Sequence, residues 1–399
     1  MQEELIKKGM QYLTNTYNRF PIVITKGQGC WIWDLNGRRY LDFLAGISVC
    51  NLGHAHRNVI DSLVAQAEKL FHISNLFYME PQIKAAELLC EHSFGDKVFF
   101  CNSGAEANEG AIKLARRYSW SRYGEDRYEI IVMENSFHGR TIATLSATGQ
   151  PRFHEGFKPL LEGFRYCPFN DIEALKGLIN EKTCAIMIEL IQSEGGVYVA
   201  DKGYMKEIKR LADERDILLI IDEIQTGMGR TGSFFGYEQF GIEPDIMTLA
   251  KALGNGFPVG AMVTKDRIVS AFVPGTHAST FGGNPLAMSC VIATINTLID
   301  DGIVKHCEDI GRYLYEGLMA LKKRFPFIVD VRGMGLILGI ELSINGDEVL
   351  REFIKEGVIL NCTKGNVLRL LPPLIITKDD VDLFLEIGER IFERHMKTL

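Results

Sequence analysis

Short apolar runs alternate with amphipathic stretches in this chain between about residues 80 and 300, and this alternation limits the possible folds most narrowly. Apolar runs of strand length stand at 97–101, 129–133, 184–190, 217–222, 246–250 and 259–263. Stretches with the three-to-four spacing of helices stand at 81–93, 104–121, 203–215 and 284–300. Strands linked by helices pair in parallel, and a parallel sheet is buried on both faces. The pattern therefore predicts an α/β fold with a mostly parallel central sheet covered by helices.

The two ends of the chain have a different pattern. Asn36-Gly37, between strand-like pieces at 31–34 and 40–43, predicts a hairpin. After residue 300, amphipathic and strand-like stretches follow one another at 303–325, 327–331, 336–342, 347–356, 367–371 and 378–396. The chain has 399 residues, more than a single growing core usually holds. We expect a large domain and a small α+β domain built from both termini, with these bounds: 1–50 packing with the small domain, 51–300 the large domain, 301–399 the small domain.

The composition predicts a soluble, cytoplasmic globular protein. Hydrophobic residues make up 46% and charged residues 24% of the chain. A net charge of −7 lacks the basic excess of a nucleic-acid binder, so we expect no nucleic-acid partner. Nine scattered cysteines without a C-x-x-C pair favour reduced thiols, and the charged N-terminus differs from a signal peptide. No apolar run approaches the roughly 20 residues of a membrane span, so we expect no membrane partner.

Two lone charges next to apolar runs suggest the chemistry. Lys251 stands in Thr-Leu-Ala-Lys-Ala-Leu-Gly, and Asp222 ends Leu-Leu-Ile-Ile-Asp. Pyridoxal phosphate (PLP) chemistry needs an amine that desolvation keeps partly uncharged and nucleophilic. It also needs an acid that holds the proton on the pyridine nitrogen. Burying Asp222 without a cationic partner would cost several kcal/mol, so a capping role explains it poorly.

Other motif matches point to different functions and are rejected. Asp222-Glu223 at a strand end resembles the Mg²⁺-binding strand of P-loop ATPases, but the chain contains no Gly-Lys dipeptide and hence no P-loop. Residues 227–232, Gly-Met-Gly-Arg-Thr-Gly, match the dinucleotide fingerprint without directly following a strand or opening a helix, so we interpret them as turn glycines. His54 and His56 lack further ligands at metal spacing, so we expect structural histidines and no metal site.

Several further positions are candidates for binding. Ser103, Gly104 and Ala105 follow an apolar strand and begin a helix, whose free N–H groups attract phosphate, although an ordinary capped helix has the same pattern. In the segment 136–141, Phe137 can stack on a flat ring and Arg140 can hold a carboxylate, or the segment is a plain surface loop. Glu194 and Arg369 are isolated charges, for which solvation is the default, although Arg369 between leucines fits that default poorly.

Ordered motifs from about Tyr17 to the C-terminal helix resemble the class III aminotransferases of PLP fold type I. They are FLAGI (43–47), CNSGAEANE (101–109), NSFHGRT (135–141), DEIQTGMGRTG (222–232), LAKALGNGFP (249–258) and TFGGNP (280–285). The combined, ordered pattern is far more specific than any single motif. It covers nearly the whole chain.

The resemblance implies a cofactor site. Lys251 would be the Schiff-base lysine and the proton shuttle, and Asp222 would pair with the pyridinium nitrogen. The other cofactor contacts that it implies are Ser103, Gly104 and Ala105 at the phosphate, Phe137 on the ring face, Gln225 at the ring hydroxyl, and Thr280 at the phosphate of the neighbouring subunit. The working unit would then be a homodimer with active sites at the subunit interface.

The resemblance also implies how substrates bind. Arg140, assisted by Ser279, would take the α-carboxylate of an acylated amino acid. Glu194 and Arg369 match an ion-pair gate that hides the arginine in one half-reaction and opens it to 2-oxoglutarate in the other. The family usually has Glu-Pro-Ile-Gln-Gly-Glu where this chain has Leu at 190 and Ser at 193. These two departures leave the gate and the substrate range open.

The implied activity is transfer of the terminal amine of N²-acetylornithine to 2-oxoglutarate, giving N-acetylglutamate semialdehyde and glutamate in arginine biosynthesis. Ile47 favours an acylated substrate, because ornithine aminotransferases have a Tyr there that helps to bind a free α-amino acid. One alternative is another ω-aminotransferase, acting on N-succinyl-diaminopimelate, succinylornithine or ornithine. An aminomutase of the same fold and a non-catalytic PLP-binding protein are further alternatives.

Overall fold

The computed structural model describes residues 1–397 of the chain. Its strands are β1 (Ile24–Gln28), β2 (Trp31–Asp34), β3 (Arg39–Asp42), β4 (Lys97–Cys101), β5 (Glu129–Met133), β6 (Phe164–Cys167), β7 (Thr183–Glu189), β8 (Ile191–Gln192), β9 (Tyr198–Val199), β10 (Leu218–Asp222), β11 (Ile246–Leu249), β12 (Gly260–Thr264), β13 (Ile328–Met334), β14 (Ile337–Leu342), β15 (Val358–Ile359), β16 (Asn361–Thr363) and β17 (Val367–Leu370). Its helices are α1 (Gln2–Tyr12), α2 (Ala45–Ser48), α3 (Arg57–Ala67), α4 (Glu80–Glu91), α5 (Gly104–Tyr123), α6 (Ile142–Ala147), α7 (Ile172–Leu178), α8 (Lys202–Arg215), α9 (Asp266–Val269), α10 (Pro285–Asp300), α11 (Ile303–Arg324), α12 (Gly346–Glu356) and α13 (Lys378–Met396).

A seven-stranded sheet forms the centre of the molecule, in the order β4-β12-β11-β10-β7-β5-β6. Only β12 runs antiparallel to its neighbours within this sheet; the other pairs are parallel. Every residue of β7, β10, β11 and β12 is buried, as expected of strands covered on both faces. The predicted mostly parallel sheet is confirmed.

The sheet contains one strand more than the apolar runs predicted. β6, at the edge of the sheet, has the sequence Phe-Arg-Tyr-Cys, and only Cys167 is fully buried. An edge strand is covered on fewer sides, so it need not be a continuous apolar run. The helices α1, α2, α3, α6, α7 and α9 were also not predicted; α2, α6, α7 and α9 are too short to show a helical period.

The parallel strands bring their carboxyl ends together at one edge of the sheet. Glu189 and Asp222 are register partners at the ends of β7 and β10, and Asp222 is also paired with Thr248 of β11. Lys251 follows β11 directly, and α5 begins at Gly104, shortly after β4. Ligands of open α/β sheets bind outside these carboxyl ends. The fold therefore brings Asp222, Lys251 and the start of α5 to the same edge of the sheet.

Besides the central sheet, the described part of the chain contains two four-stranded sheets and the two-stranded sheet β8-β9. An antiparallel sheet has the order β13-β14-β17-β16, and a mixed sheet has the order β1-β2-β3-β15. In the mixed sheet, Val358 of β15 is the register partner of Leu41, so N-terminal strands pair with a C-terminal strand. The predicted hairpin between β2 and β3 is present, and Gly37 in its turn has a φ of +82°, which favours glycine.

The glycine-rich segment 227–232 forms a turn, as predicted, with φ of +85° at Gly229 and +84° at Gly232. Arg230 within it is fully buried, and its guanidinium donates hydrogen bonds to the side chain of Asn51 and the carbonyl of Leu336. The turn thus carries a buried arginine that joins separate parts of the chain.

Residues 1–397 were compared with the requirements of a membrane span and of a metal site. No single helix there is long and apolar enough to cross a membrane; α10 and α11 reach that threshold only as a pair, bent by 65°. No group of three or more His, Cys, Asp or Glu side chains there can hold a metal ion. His54 forms a hydrogen bond of 2.6 Å between its Nε2 and Oδ2 of Asp42.

Candidate functional site

A cavity of about 470 Å³ lies at the carboxyl ends of the parallel strands. This volume is typical of small-molecule sites, which span about 300–1,000 Å³. It brings together most residues that the sequence predicted: Ser103, Gly104, Ala105, Phe137, Arg140, Glu194, Asp222, Gln225 and Lys251.

Lys251 reaches this cavity from a strained backbone position. Its φ is +45°, a left-handed conformation that costs free energy for a residue with a side chain and that clusters at functional sites. Burial is the main cause that lowers the pKa of its amine, to about 8, and Arg369 lowers it further, while the carboxylates of Glu194 and Asp222 act in the opposite direction. Roughly a tenth of the amine is therefore uncharged at pH 7, many times more than at its ordinary pKa, and this fraction can act as a nucleophile.

Asp222 is held by a buried hydrogen-bond network. Its Oδ2 accepts from Nδ2 of Asn108 and from Nδ1 of His138, both at 2.8 Å, and its Oδ1 accepts from the backbone N–H of Ile224 at 3.1 Å. Asn108 in turn accepts from the Thr248 hydroxyl at 2.7 Å. These bonds compensate the carboxylate for lost solvation and fix its direction.

Glu189 is a second carboxyl group on the cavity wall. Its Oε2 accepts a hydrogen bond from the backbone N–H of Phe137 at 2.9 Å. Burial, followed by the charge of Asp222, raises its pKa well above the ordinary value. Glu189 was not predicted as a site residue, although it is the next-to-last residue of the apolar run 184–190 and ends β7, next to the strand that carries Asp222.

The start of α5 forms one wall of the cavity. Ser103 is the N-cap, and its hydroxyl accepts from the backbone N–H of Glu106 at 3.2 Å. The first N–H groups of a helix have no partner within the helix, and Gly104 and Ala105 line the cavity. A Cβ at Gly104 would lie 2.7 Å from Cδ1 of Ile224, so only glycine fits there without a shift. The arrangement suits an anionic group at the helix start.

Arg140 lies exposed beside two aromatic rings near the cavity. Its guanidinium carbon is 4.2 Å from the ring centroid of Phe153 and 5.6 Å from that of Phe137. Among residues 1–397 it has neither an ion pair nor a hydrogen-bond partner. A planar, uncompensated guanidinium of this kind suits a carboxylate ligand.

Arg369 lies behind Glu194 and is fully buried. Its Nη1 is 2.7 Å from Oε1 of Glu194, whose side chain is 27% exposed and lines the cavity. Burial raises the pKa of Glu194, but the charge and hydrogen bond of Arg369 outweigh this effect and lower it overall. The predicted Glu194 and Arg369 are thus brought into contact.

Ser279 and Thr280 lie elsewhere. They line a second cavity of about 750 Å³, together with residues of the segment 72–86. The Ser279 hydroxyl accepts from Nδ2 of Asn102 at 3.2 Å and from the backbone N–H of Gly282 at 3.0 Å, while Thr280 is exposed. Within one chain, neither residue contacts Arg140 or Lys251.

Comparison with known proteins decides the family. The model of the class-III aminotransferases matches residues 12–392. The chain belongs to this family. The class-III acetylornithine aminotransferases of Caldanaerobacter subterraneus subsp. tengcongensis and Methanocaldococcus jannaschii are 51% and 49% identical to it, covering 94% and 98% of this chain and 96% and 98% of their own lengths.

Solved structures give the same result for this class-III chain. The ornithine aminotransferase of Toxoplasma gondii superposes with a TM-score of 0.97 at 33% identity, covering 100% of this chain and 96% of that one. The acetylornithine aminotransferase of Elizabethkingia anophelis gives 0.89 at 32% identity, covering 98% and 99%. The family, fold type and aminotransferase activity inferred from the motifs are confirmed.

The cofactor of class-III aminotransferases is PLP, and the cavity fits it. Oε1 of Gln225 and Nε2 of His138 are buried at the cavity without a hydrogen-bond partner among the described residues. A buried polar atom without a partner is costly, so a ligand that bonds to it is favoured. Oε1 of Gln225, the Lys251 amine and the free helix start match the hydroxyl, aldehyde and phosphate of PLP.

Proposed function

We propose that this enzyme transfers the terminal amine of N²-acetylornithine to 2-oxoglutarate, giving N-acetylglutamate semialdehyde and glutamate in arginine biosynthesis. The observation that carries the proposal is the unequal state of two arginines. Arg140 is free to take the carboxylate of an amine donor, whereas Arg369 is already neutralised by Glu194. The names of the relatives at about 50% identity support the same substrate.

In this proposal the cofactor is held through several of the predicted residues. Ser103, Gly104 and Ala105 would hold the phosphate at the start of α5, and Gln225 Oε1 would accept a hydrogen bond from the ring hydroxyl. Phe137 would stack on one face of the ring, and Asp222 would hold the proton on the ring nitrogen. When bound, PLP supplies a ring that withdraws electrons from the substrate carbon.

Lys251 has two tasks in the proposed reaction. Its partly uncharged Nζ would form the covalent bond to the cofactor, and once substrate has released it, the same atom would accept the proton from the substrate carbon that bears the amine. A positioned acid–base group of this kind contributes about 10²- to 10⁴-fold to the rate. The pKa of about 8 keeps Nζ able both to accept and to return a proton.

Glu194 and Arg369 adapt one cavity to two substrates. While the two side chains are paired, Arg369 offers no free charge to the amine donor. For 2-oxoglutarate to bind, Glu194 moves aside and the guanidinium takes one carboxylate of the keto acid, as a bidentate partner. The 27% exposure of the Glu194 side chain gives it room to move, while Arg369 stays buried.

Ornithine is the second candidate substrate, because several ornithine aminotransferases superpose closely on this chain. Residue 47 argues against it. Ile47 lies in a run of left-handed residues, 45–48, and its own φ of +68° is unusual for a β-branched side chain. Close by, Val49 lines the cavity. An apolar side chain at 47 lacks the hydroxyl that would help to bind a free α-amine.

We also propose that the enzyme is a homodimer in which Thr280 contacts the phosphate of the partner's cofactor. An exposed apolar patch supports this: Leu70, Phe71, Ile73, Leu76, Phe77, Tyr78, Ile83 and Phe281. Patches of this kind mark protein interfaces. Leu76→Glu should produce a monomer in analytical ultracentrifugation, whereas Val329→Glu, at an exposed site on β13, should not. A wild-type monomer would refute the proposal.

A cytoplasmic location completes the proposal. It is supported by the nine cysteines, all of which are free in the structure, as in a reducing compartment.

Glutamate formation with three amine donors tests the substrate. N²-acetylornithine, ornithine and N-succinyl-diaminopimelate are each assayed with 2-oxoglutarate. The highest kcat/KM with N²-acetylornithine is the expected result. A higher value with ornithine would replace the proposed substrate, and no glutamate from any donor would overturn the proposed function.

A further inference from the structure

The buried Arg369 has further hydrogen-bond partners besides Glu194. Its Nη1 also donates to the Ser193 hydroxyl at 3.0 Å, and its Nε donates to Oδ1 of Asn361 at 3.1 Å. Both additional acceptors are neutral. Its Nη2 is buried and has no partner among the described residues.

The fold fixes these neutral partners independently of Glu194. Asn361 of β16 is the register partner of Arg369 in β17, so their side chains lie side by side on one face of the sheet. Ser193 is fully buried and directly follows β8, which pairs with β9. Arg332 of β13 stabilises the turn between β8 and β9, because its Nε donates to the carbonyl of Gly196 at 2.9 Å.

A count of guanidinium hydrogens shows what remains available. Arginine has five N–H donors. Asn361 takes the Nε hydrogen, Ser193 takes one on Nη1, and Glu194 takes the other. When Glu194 leaves, one Nη1 hydrogen and both Nη2 hydrogens can meet a carboxylate, while the two neutral acceptors still hold the group.

We propose that Ser193 and Asn361 are positioning residues that hold Arg369 in place after Glu194 leaves, without neutralising the charge that 2-oxoglutarate needs. This inference rests on the proposed function of the Glu194–Arg369 pair. A guanidinium that is already oriented loses less conformational freedom when it binds a carboxylate.

Equilibrium binding of glutarate to the PLP-loaded enzyme tests the proposal, since glutarate has the two carboxylates of 2-oxoglutarate but no keto group. Ser193→Gly and Asn361→Ala should each raise its Kd about tenfold in titration calorimetry, the usual size of one lost hydrogen bond to a charged group. Ser343→Ala, at an exposed serine of the same C-terminal region, should leave the Kd unchanged.

Asn361→Asp separates positioning from a merely structural role. An aspartate accepts the same hydrogen bond from Nε of Arg369, so a merely structural role predicts no loss of glutarate affinity. The proposal predicts a glutarate Kd at least tenfold higher, because a permanent carboxylate compensates the arginine. In stopped-flow assays, the keto-acid half-reaction should lose affinity while the amine half-reaction keeps its rate, with unchanged melting temperatures showing intact folding.

Failure of the proposed function and failure of the positioning role give different results. Wild-type enzyme that makes no glutamate from 2-oxoglutarate would overturn the proposed function itself. Active wild-type enzyme whose Ser193→Gly and Asn361→Asp variants bind glutarate normally would overturn only the positioning role.

Discussion

Replacing Glu194 by Ala should damage the amine half-reaction far more than the keto-acid half-reaction. Without Glu194, the charge of Arg369 stays uncompensated next to a cavity that must accept a cationic amine donor. The donor's carboxylate can also bind Arg369 in a wrong orientation. In the keto-acid half-reaction, by contrast, the gate that we propose opens the pair in any case, so little is lost.

The size of the effect follows from the ion pair. At the observed 2.7 Å, two unit charges attract by about 6 kcal/mol in an effective dielectric of about 20. Desolvation offsets part of this, and removing one partner of a buried pair costs about 3–5 kcal/mol. Because Glu194 is partly exposed and Ser193 and Asn361 remain in place, we expect the lower end, about 3 kcal/mol, or roughly 10²-fold.

Single-turnover absorbance changes of the bound cofactor measure each half-reaction separately. The second-order rate constant with N²-acetylornithine should fall by roughly 10²-fold, and that with 2-oxoglutarate by less than about threefold. Glu352→Ala is a matched control, since Glu352 is also 27% exposed and is paired with Arg394 at 2.9 Å. Equal losses in the two half-reactions, or a similar loss in the control, would refute the reasoning.

Three further predictions follow from single residues. The rate at which apoenzyme takes up PLP should rise with pH through about 8, because only the uncharged Lys251 amine reacts and burial has lowered its pKa; a midpoint near 10.5 would contradict this. Gln225→Leu should weaken PLP retention in equilibrium dialysis about tenfold, because the hydrogen bond that we propose to the ring hydroxyl is lost, and unchanged retention would rule that bond out. Gly104→Ala should destabilise the protein by about 1–3 kcal/mol in denaturant titrations, because the added Cβ clashes with Ile224. The control Gly177→Ala, in α7 with open space at its Cβ, should be neutral or slightly stabilising. Equal effects of the two substitutions would contradict the close packing at Gly104.

The residues of the site that the sequence pattern predicted are lone charges next to apolar runs. Asp222 and Lys251 each stand beside a buried strand, so neither is explained by ordinary solvation, and the structure places both in one cavity. The network around Asp222 was not visible in this way. Asn108, His138 and Thr248 come from a helix, a loop and a strand. Their role at Asp222 depends on contacts between distant parts of the chain, which the sequence pattern does not show.

The fold was predictable to a similar degree. Strands that are buried on both faces, such as β7 and β10, show as apolar runs, whereas the edge strand β6 does not. The antiparallel direction of β12 could not be predicted, because an apolar run is the same in either direction. Within one chain Thr280 lies away from Lys251, so a role for Thr280 at the cofactor depends on the dimer that we propose.

A covalent bond between Lys251 and the cofactor is the central claim about this enzyme. Borohydride reduction of the purified enzyme, followed by peptide mass spectrometry, locates that bond directly. We predict the mass of a reduced pyridoxyl phosphate on Lys251 alone, and no such peptide from Lys251→Ala prepared in the same way. A label on a different lysine, or an enzyme that turns over substrate without any label, would contradict the central claim.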